Sequence, residues 1–217
     1  MFDSIDRYLS EVGTALRAVR PAVRPSLGVY MPQSPAQPPY RSELSTANRI
    51  ARTLWALVRA LAFRPTPTLF YPWRNLLLRL FGAHIARGAR VYPSCRIWAP
   101  WNLRMADHSC LGPFVDCYNV APISLGAHAI VSQYSHLCAA THDPDDPAFP
   151  LRTAPIAIGA QAWVCTDVFV GPGVTIADGC VVGARSSVFR DLPAWTICHG
   201  SPARPVRERR RQPANAA

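Results

Sequence analysis

Lysine is absent from this 217-residue chain, acidic residues are scarce in its first half, and no apolar run is long enough to span a bilayer. Each absence removes a class of protein. The longest apolar stretch, Ile50 to Phe63, is 14 residues long and carries Arg52 and Arg59, which makes it too short and too charged to cross a membrane. Peripheral membrane contact is still open to an amphipathic segment of this kind. The seven cysteines, Cys95, Cys110, Cys117, Cys138, Cys165, Cys180 and Cys198, include no C-x-x-C pair, and no secretory leader precedes them. They read as small core fillers in a reducing, cytoplasmic compartment, with neither a disulfide framework nor a cysteine metal site.

The net charge of +10 is unevenly distributed. Residues 1–104 carry 15 arginines against 4 acids, residues 105–203 carry 3 against 8, and residues 204–217 carry 5 against 1. The charge is not interleaved with aromatics in a recognisable motif, which argues against a nucleic-acid partner and leaves an anionic surface, a phosphate-bearing ligand or a merely solvated flank. The 22 prolines cluster near residues 21–39 and 65–72 and mark linkers or turns. The first twenty residues place Phe2, Ile5, Leu9, Val12, Leu16 and Val19 at helical spacing and predict an amphipathic helix.

From Ile158 onward a different period takes over. Apolar residues fall six apart at Ile158, Val164, Val170, Ile176, Val182 and Val188, and the same step holds at Leu125, Val131 and Leu137. Ile85, Val91, Ile97 and Leu103 give a looser version. Small or β-branched residues recur at the fifth place: Ala129, Ser135, Thr141, Ala162, Val168, Val174, Cys180 and Ser186. A period of six fits neither a helix nor simple strand alternation, so internal repetition decides the fold. Each unit makes one short strand and one turn, three units make a triangular coil, and stacked coils pair as parallel strands about 4.8 Å apart. The expected fold is an all-β parallel β-helix over residues 83–203. Helices over 43–82 cap its first coil or lie on a membrane surface, residues 1–42 are an appended segment, and residues 204–217 are a basic C-terminal tail.

The period stops once, in "THDPDDPAFPL" from Thr141 to Leu151, and resumes at Ile158. A smooth prism has no cleft, so a site requires an excursion of this sort or a neighbouring subunit. The prolines Pro144, Pro147, Pro150 and Pro155 cannot continue an inner strand and predict a protruding loop near 142–157. His142 stands where the chain leaves the prism. An imidazole with a pKa near ~6.5 is suited to taking a proton from a hydroxyl, or it caps the loop backbone. Asp143 either orients that imidazole or opens an Asp-Pro turn.

Those segments, with "FRPTPTLFYPWRNLLLRLFGAHI", "IWAPWNLRMADHSCLG", "DCYNVAPISLG" and the stretch from Ala162 to Val206, closely resemble the WcaF-like colanic-acid-biosynthesis acetyltransferases, a branch of the hexapeptide-repeat acyltransferases. The likeness covers roughly residues 44–209. It implies a left-handed coil, a homotrimer, and acetyl transfer from acetyl-CoA to a sugar or glycan hydroxyl during polysaccharide assembly. It also implies that His142 is the general base. For the donor it implies Trp163 beside the base, Thr166 and Ala184 along the pantetheine arm, and Arg190, Arg204 and Arg207 near the nucleotide phosphates, where forked guanidinium donors suit phosphate. Ser201 in "GSPARPV" stands where asparagine is more usual in related enzymes. Asp116 and Asn119 lie where related enzymes hold the sugar, although a coil asparagine also serves as an internal ladder partner. A covalent route through Cys138 or Cys165 is disfavoured, since neither has a basic neighbour in sequence to lower its pKa. Two other readings stand against the acetyltransferase. A metal-dependent enzyme on the same scaffold needs three converging histidines, whereas His128, His136 and His142 are spaced 8 and 6 and are expected to point apart. The other is a non-catalytic scaffold at a membrane.

Overall fold

A computed structural model of the protein describes residues 45–210. The predicted helix within residues 2–19, and the rest of the appended segment 1–42, lie outside the described residues.

The six-residue units wind into a parallel β-helix with three faces. The first face stacks His84–Ile85, Leu103–Met105, Ile123–Leu125, Ile156–Ile158 and Thr175–Ile176. The second stacks Arg90–Val91, Cys110–Leu111, Ile130–Val131, Trp163–Val164 and Val181–Val182. The third stacks Arg96–Ile97, Asp116–Tyr118, His136–Cys138, Phe169–Val170 and Ser187–Val188. Every inward position of the regular run is buried, and Ile158, Val164, Val170, Ile176, Val182 and Val188 form one column of core with their neighbours. The corners carry the small residues as expected, since Ala129, Ser135, Ala162, Val168, Val174, Cys180 and Ser186 are all buried. Thr141 is the exception: it is exposed, and it belongs to the excursion instead of to the coil.

The looser early register has a specific cause. Ile85 pairs with Met105, Met105 with Leu125, Leu125 with Ile158 and Ile158 with Ile176, so successive coils take 20, 20, 33 and 18 residues. The surplus falls each time at the corner between the third and first faces. Leu103 is buried and paired with Ile123, but it is Met105 that stands in register with Ile85, so the six-residue step from Ile97 to Leu103 is not the repeat. A turn of 3-10 helix, Pro100–Asn102, takes up the surplus in the first of these corners. At the regular corners one residue per turn sits in the left-handed region, among them His108, His128, Tyr134, Asp167 and Arg185. That conformation is tolerated there because the turn itself dictates it. Gly126 is required for a different reason: a Cβ there would collide with the backbone of Gly159 and Ala160 in the next coil.

Helix α1 (Thr46–Val58), a π-helical turn (Arg59–Phe63) and helix α2 (Tyr71–Leu80) close the first coil. In later coils the carbonyls of Met105, Ser109, Leu111 and Cys117 accept N–H groups from the preceding coil. Their equivalents in the first coil, Ile85, Ala89, Val91 and Ile97, have no preceding coil. They accept instead from Arg79 Nε (2.9 Å), Asn75 Nδ2 (2.8 Å), Arg74 Nε (2.8 Å) and Trp55 Nε1 (2.8 Å). The helices thus supply side-chain donors in the places of a missing strand, satisfying carbonyls that would each cost about 1–3 kcal/mol if left orphaned. Arg74 is wholly buried and also donates to Thr66 Oγ1 and to the Pro67 and Thr68 carbonyls. Residues 45–82 thus cover the open end of the first coil.

At the other end the expected tail is part of the sheet. Thr196–Gly200 extends the second face by pairing with Val181–Val182, and Ala203–Glu208 folds back antiparallel on it. Arg209 then anchors to the Gln161 and Gly179 carbonyls, both at 2.9 Å. Ordered sheet therefore continues past residue 203 because that strand covers the last edge of the second face.

Candidate active site

The break in the period is a hairpin and not an irregular loop. Ala140–His142 pairs antiparallel with Leu151–Thr153, with Thr141 opposite Arg152 and His142 opposite Leu151, and the first face has resumed by Ile156. The bond from Ala154 N–H to the Ala139 carbonyl (3.1 Å) closes its neck. At its tip Asp143 Oδ1 accepts from Asp145 N–H (3.1 Å) and Asp146 Oδ1 from Ala148 N–H (2.9 Å), two Asx turns that explain the Asp-Pro-rich sequence. Asp143 also meets Arg152 at 3.2 Å. The Asp145 N–H, and after it Arg152, hold the Asp143 carboxyl below the usual carboxylate range. Asp143 therefore builds the turn, and no bond from it to the imidazole is formed.

His142 is exposed on the hairpin, and its Nδ1 lies 2.6 Å from the Phe149 carbonyl oxygen. A carbonyl can only accept, so Nδ1 carries the hydrogen and the neutral ring presents its lone pair at Nε2. The backbone-capping role and the role of base are thus compatible: the cap fixes the tautomer that a base requires.

The residues singled out for the donor lie elsewhere on the prism. Trp163 stands on the second face, 45% exposed, with Nε1 donating to Ser132 Oγ at 2.9 Å. Its register continues through Val181 and Ile197 to Arg207, while Arg204 pairs with His199 on the same added hairpin, and both arginines are exposed. Thr166 and Ala184 occupy the corner between the second and third faces, where Thr166 Oγ1 donates to the Gln133 carbonyl (3.0 Å). Arg190 is exposed after the last third-face strand. The second face is opposite the corner that bears His142, so one chain does not bring His142 and Trp163 together. Sequence reasoning had no means of seeing this separation, because it depends on which corner receives the insertion.

On the acceptor side the two candidates diverge. Asp116 lies on the third face, partly exposed, with Arg96 at 3.7 Å. Asn119 is 0% exposed: its Oδ1 accepts from Trp98 N–H and Ala99 N–H (3.1 and 2.9 Å) and its Nδ2 donates to the Ala99 carbonyl (2.6 Å). It is the ladder partner that stabilises the two-residue surplus at its corner, and it is withdrawn from the acceptor set.

The remaining histidines and cysteines occupy separate places. His128 stacks on His108 at the first corner (5.1 Å between centroids), and His136 packs edge-on to Phe169 on the third face. Burial raises the Cys165 thiol, which makes a thiolate nucleophile there harder to form. Cys138 Sγ is turned to the Ala140 carbonyl at 3.1 Å.

No family model matches the sequence. Individual proteins do. Over 162 residues the chain is 48% identical to WcaF of Escherichia coli K12, named for colanic acid biosynthesis acetyltransferase, covering 75% of this chain and 89% of that protein. The chain belongs to the WcaF family of acetyltransferases. Its fold is shared with a hexapeptide-repeat-containing acetyltransferase of Vibrio cholerae solved with acetyl coenzyme A: TM-score 0.71, 25% identity, covering 78% of this chain and 93% of that one. A galactoside acetyltransferase solved with coenzyme A superposes with a TM-score of 0.64 at 20% identity, covering 77% and 84%, a likeness of fold alone.

Proposed function

We propose that the protein is an acetyl-CoA-dependent O-acetyltransferase of the cytoplasm, acting on a sugar hydroxyl in the synthesis of an exopolysaccharide or other surface glycan, with His142 as general base. The observation that carries the reading is the Nδ1 bond of His142 to Phe149, which leaves Nε2 free to accept a proton. Membership of the WcaF family and the acetyl-CoA-bound neighbour support the donor and the class of reaction.

The chemistry follows in one ternary complex. Nε2 takes the hydroxyl proton as the oxygen attacks the thioester carbonyl, the C–S bond breaks, and the departing thiolate takes the proton from the imidazolium as free CoA thiol. A thioester is activated enough that one positioned base suffices. The separation of His142 from Trp163, Arg204 and Arg207 within one chain supports a homotrimer, in which the hairpin of one subunit meets the second face of the next.

Peripheral membrane contact belongs to the same proposal. Ile50, Leu54, Leu57 and Leu61 recur at helical spacing and are 53–69% exposed, on the side of the α1 segment away from buried Trp55. Among the described residues no helix is long and apolar enough to cross a membrane. Incubation with acetyl-CoA and a panel of sugar acceptors, followed by free thiol, tests the reaction: acceptor-dependent thiol release is expected, and its absence across free, nucleotide-linked and lipid-linked sugars would reject it.

A further inference from the structure

Between α1 and the first third-face strand lies a cavity of about 390 Å³ whose lining includes Arg49, Arg52, Arg59, Arg96, Trp55 and Trp98. Its lining includes four arginines and, among the described residues, no acidic side chain. From Ser45 to Ala106 the chain contains no acidic residue at all. Among the described residues, Arg96 alone of these four forms an ion pair, the 3.7 Å contact with Asp116 on an exposed side chain. Arg52 is held with its guanidinium 3.9 Å from the Trp98 ring centroid, a stacked position that leaves its N–H edge able to donate. Four like charges lining one cavity, with a single long carboxylate contact among them, repel one another, and a bound anion makes such an arrangement favourable.

The cavity also has a direction. Trp98 meets the Tyr118 ring edge-on at 5.6 Å, and Tyr118 pairs in register with Cys138, the strand from which the hairpin of His142 departs. Asp116 lies in the same strand as Tyr118, between Arg96 and His136 in register. From the first to the third coil is two ladder steps, about 10 Å. Arginine cavity, aromatic pair with Asp116, and hairpin are therefore ordered along one face. The donor-side residues Trp163 and Arg207 are on another face.

The geometry points to an acceptor subsite: the four arginines bind the phosphate or diphosphate group through which the acceptor sugar is linked, while the sugar lies over Trp98, Tyr118 and Asp116 toward His142. The substrate class is then a sugar phosphate ester and not a free sugar, which deepens the acetyltransferase reading and rests on it. Nucleoside-diphosphate sugars and prenyl-diphosphate sugars share this group.

Binding of inorganic pyrophosphate to the full chain, measured by calorimetry, tests the site without catalysis. Binding that weakens with salt is expected, together with a loss of roughly tenfold or more in Arg52→Gln/Arg59→Gln, while CoA binding by the same variant stays unchanged and reports that it is folded. Pyrophosphate bound equally by the variant, or displaced by CoA in simple competition, would overturn the subsite. In kinetics the variant raises KM for a diphosphate-linked sugar and leaves KM for the free sugar unchanged; equal effects on both would also overturn it. A nucleotide-linked and a detergent-solubilised prenyl-linked sugar, compared in that assay, identify the source of the phosphate by which KM responds. A chain that binds pyrophosphate through these arginines but transfers no acetyl to any acceptor supports the site while rejecting the reaction, and one that transfers acetyl with arginine-independent binding rejects the site alone.

Discussion

His142 Nδ1 and the Phe149 carbonyl oxygen are 2.6 Å apart across the hairpin, and that single contact selects which nitrogen of the ring is basic. Phe149 is itself held by its N–H bond to the Asp146 carbonyl (2.8 Å), in a left-handed conformation with φ of 45°. The turn chemistry of an Asp-Pro-rich segment thus reaches the imidazole through the backbone. His142→Ala is expected to lower kcat by roughly 10²–10⁴ with an unchanged melting temperature, because it removes a base from an exposed hairpin and nothing from the core. Full activity in that variant, measured by thiol release, would remove His142 from the chemistry.

His142 was legible as the candidate base because two signals coincided, a histidine at the edge of a broken period and a family resemblance. Its hairpin was not, since prolines mask strand pairing when they fall at turns, as Pro144 and Pro147 do here. The regular coils from Ile158 onward were legible position by position because each inward residue repeats every six. Ile97 to Met105 and Cys117 to Leu125 are steps of eight, and a two-residue surplus breaks the count although both partners stay buried. Asn119 read as polar and near the acceptor, but its burial depends on that same surplus corner. Arg74 was the least visible, since an arginine in an amphipathic helix ordinarily faces solvent.

Arg74 offers a direct test of the cap. Arg74→Met keeps the volume and removes the guanidinium donors to the Val91 and Thr68 carbonyls, while Pro67 keeps its bond from the Phe70 N–H (3.0 Å). Orphaned carbonyls cost about 1–3 kcal/mol each, so the variant is expected to lose roughly 2–4 kcal/mol of stability in urea unfolding. A variant as stable as the parent would mean that these carbonyls find water or other donors.

The thiols predict how stability varies with pH. Burial, and next the neighbouring Cys198, push the Cys180 thiol from 9.0 up to about 12, and burial raises Cys95 and Cys117 as well. The unfolded chain releases these protons near the ordinary thiol value, so the folded state binds more protons above it. Their contribution is fully present below pH 9 and is lost as pH rises through about 12. The urea midpoint is therefore expected to be level from about pH 7 to 8 and to fall above about pH 9. A Cys180→Ala variant with an identical decline would assign it to other groups.

The two faces of α1 separate capping from membrane contact. Trp55 turns inward to the Ile97 carbonyl and packs on Phe63 and Phe81, with ring centroids at 5.6 and 5.2 Å, whereas Ile50, Leu54, Leu57 and Leu61 are exposed. Deleting residues 1–42 leaves all of these contacts in place and is expected to spare acetyl transfer to a soluble acceptor. Deleting residues 1–82 removes the donors to the first coil and is expected to give aggregated protein, because it uncovers strand edges and apolar core together. Substituting Leu54, Leu57 and Leu61 by serine removes no hydrogen bond of the cap. The triple variant is expected to fold with the parent's urea midpoint and to lose binding to anionic vesicles in a sedimentation assay, since both apolar insertion and the flanking arginines contribute to attachment. Unchanged vesicle binding would assign any attachment to the arginines alone, and a collapsed midpoint would mean that the stripe is covered by protein.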